Sequence, residues 1–261
     1  MMSVLVVIPA RYASTRFPGK PLAMLGGETI VSRVWRAVSA MDFVDKTIVA
    51  TDDERILNHI NETAGLPAAM MTASTHHSGT DRCGEVLQRL EQQGEHYDIV
   101  INVQGDEPFV SEQQLKALAG CFNNGAADIA TLCTPILSTE ELLSPNNVKV
   151  VVGTNSQALY FSRQPIPYRR GVNQEQWLDG MTYLKHVGIY AFRADTLHEV
   201  CNLPAAKIED CEKLEQLRWL AAGYRIAVRM TDHANIGIDT PADLAEAERW
   251  LEERNKKHIE Q

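Results

Sequence analysis

Val4-Leu5-Val6-Val7-Ile8-Pro9-Ala10-Arg11-Tyr12-Ala13-Ser14-Thr15-Arg16-Phe17-Pro18-Gly19-Lys20-Pro21-Leu22 is the stretch on which the fold turns. Its first residues are apolar throughout, as a strand is when both faces of its sheet are covered, and such strands are usually parallel ones. At Pro9 the run breaks into a loop carrying Arg11, Arg16 and Lys20, with Gly19 free to bring backbone close to a ligand. Three cations on a Pro/Gly-shaped loop suit a polyanion, a nucleoside triphosphate being the obvious one. The plainer reading is a solvated basic loop. Neither the Gly-x-x-x-x-Gly-Lys-[Ser/Thr] phosphate loop nor the dinucleotide Gly-x-Gly-x-x-Gly is present.

Outward from this stretch, strand-like and helix-like patterns alternate. Lys46–Ala50, Ile99–Val103 and Ile129–Thr134 read as strands, and Ile30–Ala40, Glu54–Thr63 and Glu112–Cys121 as helices. Alternation of this kind predicts βαβ units, an α/β fold on a largely parallel sheet. Ligands in such sheets gather beyond the carboxyl ends of the strands. Those ends carry Pro9–Lys20, Thr51-Asp52-Asp53 and Gln104-Gly105-Asp106-Glu107-Pro108. The second half is richer in consecutive strands, at Val148–Val152, Ala158–Ser162 and Leu184–Phe192, with a polar loop from Arg163 to Thr182 placed to cover a site or mediate self-association. Helices are expected around Ile208–Ala222 and Pro241–Arg254. With no linker or repeat, residues 1–261 are expected to form one domain, with halves of about 1–145 and 146–261.

A net charge of −9 and 44% hydrophobic residues describe a globular protein without the basic face that nucleic acid or a membrane surface requires. Any anion must therefore be held by local cations. Cys83, Cys121, Cys133, Cys201 and Cys211 are scattered and odd in number, the usage of a reducing cytoplasm rather than of a disulfide framework. The apolar run before Pro9 is too short for a signal peptide, and no run approaches a membrane span, so a cytoplasmic location with no membrane insertion is expected.

Asp106, just past an apolar strand, projects a carboxylate to the rim, where Mg²⁺ favours one or two carboxylates with phosphate oxygens and water. Asp239, in Ile236-Gly237-Ile238-Asp239-Thr240-Pro241, is a second candidate ligand, or an ordinary helix cap. Glu107 stands beside Asp106 as either a ligand or a surface group. Ser78-Gly79-Thr80-Asp81-Arg82 opens a helix, and its amides and hydroxyls offer donors to a base or phosphate or merely a cap. His76 and His77 read as exposed loop residues. Arg163, Lys185, His186, Glu215 and Gln216 are polar groups beside apolar segments, and none stands alone as a site: His186 reads as a hydrogen-bonded structural residue, and Glu215-Gln216 as the solvated side of a helix.

Together these segments resemble a known family over almost the whole chain. Ile8 to Leu22, Val49-Ala50-Thr51-Asp52, Ser78 to Arg82, Asn102 to Pro108, Ala158 to Arg163, His186-Val187-Gly188-Ile189-Tyr190, Leu214 to Arg218 and Gly237 to Pro241 are similar, in order, to 3-deoxy-manno-octulosonate (Kdo) cytidylyltransferases, the CMP-Kdo synthetases of lipopolysaccharide-making bacteria. The resemblance implies a Rossmann-like three-layer nucleotidyltransferase fold with a largely parallel, mixed central sheet and a β-rich second half. It implies that Arg11, Arg16 and Lys20 hold the CTP triphosphate and that Ser78, Gly79, Thr80 and Arg82 help to recognise the cytidine. Asp106 and Asp239 match the family's Mg²⁺ ligands, and Gln104, Arg163, His186, Tyr190, Glu215 and Gln216 its Kdo-binding residues. A homodimer is implied as well. The chain departs most in the loop from Gln164 to Gly180 and in Pro241-Ala242-Asp243, where Pro-Glu-Asp is more usual.

The implied reaction is in-line attack by the anomeric hydroxyl of Kdo on the α-phosphorus of CTP, with Lys20, Arg16 and Asp106 as the catalytic groups. A cytidylyltransferase for a related acid such as 8-amino-Kdo is the nearest alternative. A sialic acid enzyme fits less well, because Ala13-Ser14-Thr15-Arg16-Phe17-Pro18-Gly19-Lys20 departs from its Gly-Ser-Lys type of loop. A glycosyltransferase would carry Asp-x-Asp where this chain has Asp106-Glu107-Pro108, and a catalytically dead sensor is opposed by the retained carboxylates and cations.

Overall fold

The computed structural model describes residues 2–13, 16–123, 125–232 and 237–259, the last five of these as backbone only. Ser14 and Thr15 of the cation loop and Ile236 of the motif around Asp239 lie outside the described residues. The chain divides into two compact units, Met1–Glu112 with Asn235–Gln261, and Gln113–Ala234.

The first unit begins with β1 (Val4–Ala10), a small hairpin of β2 (Met24–Leu25) and β3 (Glu28–Thr29), α1 (Ile30–Ser39), β4 (Lys46–Thr51), α2 (Glu54–Ala64), β5 (Ala69–Met71), α3 (Gly79–Gln92) and β6 (Ile99–Asn102). Its sheet runs β6-β1-β4-β5 and every pairing in it is parallel. Val4 to Ile8 and Ile99 to Ile101 are at most 3% exposed, as their unbroken apolar runs require. β1 pairs with β6 only as far as Val7 opposite Asn102. The strand pairing ends there, so Pro9 can lack an N–H without breaking the ladder. Its carbonyl accepts the Gly105 N–H at 3.2 Å instead.

Local chemistry sets the helix starts. Thr29 caps α1, Asp53 caps α2, and Ser78 forms a capping box with Asp81 at the start of α3. α2 ends where Gly65 takes φ +67°.

The second unit begins with α4 (Glu112–Ala119), β7 (Ile129–Pro135), α5 (Thr139–Leu143), β8 (Lys149–Val152), β9 (Ala158–Ser162), β10 (Leu184–Arg193), α6 (Ala194–Cys201), α7 (Lys207–Glu212), α8 (Gln216–Ala221) and β11 (Ile226–Met230). Here β7 is parallel to β11 and antiparallel to β10, and β8 is antiparallel to β10 and β9. The mixed, strand-rich character expected of the second half is present. The 163–182 loop carries a small core of its own, in which Trp177 and Tyr183 pack with Ile136 and Leu142. Arg169 ties it together, donating to the carbonyls of Gln176 and Trp177, both at 2.9 Å, and of Asp179 at 2.5 Å.

One expected element differs. The helix read as Ile208–Ala222 is two, α7 and α8, parted at Lys213, whose φ is +52°. The apolar spacing continues across the break, but the Arg163 guanidinium takes the last carbonyls of α7 as acceptors, at 2.7 Å for Glu212 and 3.4 Å for Lys213. A distant side chain thus supplies the C-terminal cap. The chain then returns to the first unit as α9 (Pro241–Ile259). Ala247 of that helix joins Ile238, Leu25 and Ile30 in a fully buried cluster, with Leu244 and Leu251 packed against it.

Candidate active site

The cation loop is shaped by its own residues. Gly19 donates its N–H to the Tyr12 carbonyl at 3.0 Å and holds φ +72°, with the Tyr12 ring so close that a Cβ would meet it at 3.1 Å. Arg55 lies over the other part of this contact, 3.3 Å from the Tyr12 ring centre, while its guanidinium grips Asp53. Lys20 then opens a 3₁₀ turn, Lys20–Leu22, whose Pro21 is buried. The Lys20 stem is fixed and its ammonium is delivered to one place.

Two carboxylates meet it there. Lys20 Nζ is 2.5 Å from Asp106 Oδ2 and 3.1 Å from Asp239 Oδ1, and Arg16 reaches Asp239 Oδ2 at 3.1 Å. Asp106 is positioned by the turn that follows β6, in which Gly105 is too close to the Pro9 carbonyl to carry a side chain. Asp239 comes from the other end of the sequence. The Ile238 N–H donates to the Asp106 carbonyl at 3.0 Å while the Ile238 side chain is sunk in the core, so adjacent residues carry the two acids to one cation. Burial of Lys20 disfavours its charge, but Asp106 and Asp239 outweigh that and hold its pKa above the usual lysine value.

The capping alternative for Asp239 is resolved. Thr240 Oγ1 accepts the Asp243 N–H, and the Asp243 carboxylate accepts the N–H groups of Asp239 and Thr240, so Thr240 and Asp243 cap α9 and the Asp239 carboxylate faces the cations. The chain's Pro241-Ala242-Asp243 variant retains the residue that does this.

These groups line a cavity of about 510 Å³, together with Pro9, Arg11, Gly79, Arg82, Gln104 and Gly105. Arg11, Arg16, Lys20, Gln104, Asp106 and Asp239 are thus brought together as the sequence suggested. Of the Ser78–Arg82 segment, Gly79 and Arg82 reach the cavity wall, while Ser78 serves the capping box and Thr80 is buried. Glu107 is not among the lining residues. His76 is half-buried and paired with Glu85 rather than exposed. Asp52, to which sequence reasoning gave no role, holds Arg82 at 2.5 Å. The only signal for it was its place at the end of a parallel strand.

In the second unit, a bulge in β10 between Val187 and Tyr190 turns the carbonyls of Val187 and Ile189 toward Thr131. The Thr131 hydroxyl donates to these carbonyls, so its oxygen is left to accept from His186 Nε2 at 2.9 Å. Desolvation pushes the His186 pKa down to about 3, so its imidazole is neutral, with Nδ1 as an acceptor. Its ring packs edge-on against Phe161 and beside Tyr190. Among the described residues the buried Tyr190 hydroxyl has no hydrogen-bond partner, and burial together with the nearby Glu215 charge raises its pKa well above the ordinary value. Gln216 is buried at the start of α8 and Glu215 is half-buried, which corrects the solvated helix side expected for them. Trp219, one turn along, is what turns this face inward, stacking edge-on against Tyr190 and Phe192. Arg163 spends three of its five guanidinium N–H groups on the carbonyls of Pro145, Glu212 and Lys213.

Arg11, Arg16 and Lys20 thus line one cavity with the Asp106 and Asp239 carboxylates in a unit built on a parallel sheet, an arrangement compatible with a nucleotidyltransferase. Residues 5–226 match the family model described as Cytidylyltransferase. The chain is 50% identical over 256 residues to a 3-deoxy-manno-octulosonate cytidylyltransferase of Phocaeicola vulgatus, covering 97% of this chain and 99% of that one. A protein of the same name from Bacteroides thetaiotaomicron is 48% identical, over 97% of this chain and all of its own length. Among solved structures, a CMP:2-keto-3-deoxy-manno-octonic acid synthetase complexed with CTP superposes with a TM-score of 0.86 at 40% identity, covering 97% of this chain and 99% of that one. The chain belongs to the 3-deoxy-manno-octulosonate cytidylyltransferase family. A 4-diphosphocytidyl-2C-methyl-D-erythritol synthase from Anaerococcus prevotii, at 17% identity and a TM-score of 0.60, shares the fold alone.

Proposed function

We propose that this chain transfers CMP from CTP to the anomeric hydroxyl of Kdo, giving CMP-Kdo and pyrophosphate for lipopolysaccharide synthesis. Family membership supports the substrates. The observation that carries the chemistry is the meeting of Lys20, Arg16, Asp106 and Asp239 in one cavity that Arg11 also lines. In-line attack forms a bond from the anomeric oxygen to the α-phosphorus and breaks the bond from that phosphorus to the bridging oxygen of the pyrophosphate, while the hydroxyl proton passes to solvent. Such a reaction needs positioning and charge neutralisation more than a nucleophile from the protein. Arg11 binds the triphosphate, and Arg16 and Lys20 take up the charge that builds on the departing pyrophosphate. Gly79 lets the start of α3 pack closely on Pro9 in the cavity wall, and Arg82 serves the cytidine.

The donor set fits Mg²⁺. Asp106 and Asp239 both touch one cationic nitrogen, and hard carboxylate oxygens with room for phosphate oxygens and water are what this ion prefers. Asp106 and Asp239 would hold it, and when bound it supplies Lewis acidity at the phosphate and the attacking hydroxyl.

In the second unit, Arg163, His186, Tyr190, Glu215 and Gln216 are the residues for the sugar acid. The buried Tyr190 hydroxyl, without a partner among the described residues, and the neutral His186 beside it are hydrogen-bonding groups suited to a polyhydroxylated ligand. Arg163, with donors remaining, suits the carboxylate. The reading extends to a cytoplasmic homodimer. No helix among the described residues is long and apolar enough to cross a membrane, and light scattering on the purified protein measures the assembly directly.

Pyrophosphate release with Mg²⁺, each of the four nucleoside triphosphates, and Kdo, 8-amino-Kdo or sialic acid tests the function. Release confined to CTP with Kdo is expected; release without an acceptor, or only with another sugar, overturns the assignment. Asp106→Asn should retain CTP binding and lose most turnover, and undiminished CMP-Kdo formation would refute the metal role.

A further inference from the structure

Arg82 differs from the other cations of the cavity. It is 1% exposed, yet it forms part of the cavity wall. Its Nη1 donates to Thr72 Oγ1 at 2.7 Å and its Nη2 to Asp52 Oδ2 at 2.5 Å. Thr72 is fixed in turn: its hydroxyl and its N–H both donate to the Thr51 carbonyl, at 3.1 and 2.7 Å. Asp52 is the residue that follows β4, so the sheet itself anchors both partners.

A buried guanidinium with a carboxylate at this distance is electrically close to a neutral pair. Its field on a triphosphate is weak compared with those of Arg11 and Arg16, which are exposed. What remains is a set of directional N–H donors whose plane is locked by two partners. Such a set suits neutral acceptors, a base carbonyl or a ribose oxygen, rather than phosphate. We propose that Asp52 is a positioning residue that neutralises and orients Arg82 for the nucleoside part of the nucleotide, and so sharpens the choice of base. This rests on the reading of the cavity as the CTP site.

Calorimetry on the full chain with Mg²⁺ separates the two parts of the ligand, using CTP, CMP and inorganic tripolyphosphate. Asp52→Asn is expected to weaken CTP and CMP about ten-fold while tripolyphosphate changes by less than about two-fold. The kcat/KM preference for CTP over UTP should fall with it. Thr72→Val should act in the same direction, and Asp52→Glu should restore part of the loss. If Asp52→Asn melts too low to assay, Thr72→Val gives the same division. Asp52→Asn in an Arg82→Ala background should add nothing further. Equal losses for CTP and tripolyphosphate, or unchanged CMP binding, overturn the proposal. Wild-type protein that binds neither CTP nor tripolyphosphate overturns the nucleotide reading itself.

Discussion

Lys20 shows how much one side chain can be asked to do. Its stem is set by Gly19 and Pro21, its charge is sustained by Asp106 and Asp239, and it reaches these acids from opposite ends of the sequence. Lys20→Ala should reduce turnover by about 100-fold or more, the scale for removing one preorganised charge from a transition state. Its melting temperature should fall far less than its activity, because the Lys20 ammonium is held by ion pairs in the cavity. A large loss of melting temperature with specific activity intact would reverse that assignment. His186 gives a prediction in pH. The folded chain refuses a proton until about pH 3, whereas the unfolded chain takes it near 6.5. Its contribution to stability is therefore complete above pH 6.5 and is lost as pH falls toward 3, by at most about 1.4 kcal/mol per pH unit. Urea unfolding across that window should show a steeper decline for wild type than for His186→Gln; equal slopes would mean that the imidazole titrates normally.

At the level of elements, the site depends on turns more than on helices or strands. Gly105 ends the β6 turn where a Cβ would stand 2.8 Å from the Pro9 carbonyl oxygen. Gly105→Ala must shift the turn and Asp106 with it, and a displacement near 1 Å costs about 100-fold in rate. Steady-state assays beside thermal melts check this: near-normal melting with lost turnover is expected, and normal turnover would mean that the turn gives way harmlessly. Thr240→Ala removes the cap of α9 and should cost about 1 kcal/mol in chemical denaturation. The break between α7 and α8 belongs to this scale as well. Its cause, Arg163, is some fifty residues away in sequence, and no helical periodicity could have announced it.

Each unit of the molecule has a core that can be tested by itself. In the first, Ala247 of α9 is fully buried against Leu25, Ile30 and Ile238, so the last segment of the chain closes the core begun by the first. Ala247→Asp places an unpaired charge there and should cost several kcal/mol. Detachment of α9 should also withdraw Asp239, and turnover should fall even in molecules that remain folded. In the second unit, Trp177→Ala hollows the cluster with Tyr183, Ile136 and Leu142 and should cost about 3–5 kcal/mol, with tripolyphosphate affinity kept. Loss of that affinity on Trp177→Ala would show that the two cores are not energetically separate.

The parallel strands of the first unit are legible in the residues alone, because runs buried on both faces must be apolar throughout. So are the cation loop, whose Pro and Gly positions dictate local backbone, and Asp106, which follows directly from the end of a strand. The resemblance of eight ordered segments carried the family. Relations across sequence distance emerge only in the folded chain. Asp239 faces the cations of the first loop because Ile238 is bonded to Asp106 and buried in a core that α9 completes. Glu215 and Gln216 looked solvated until Trp219 and Tyr190 turned their helix inward. Asp52 acquired a role only through a guanidinium thirty residues away. Backbone preference and strand burial act over a few residues and leave a mark in local pattern, whereas ion pairs and caps formed across the fold depend on positions that the local pattern does not encode.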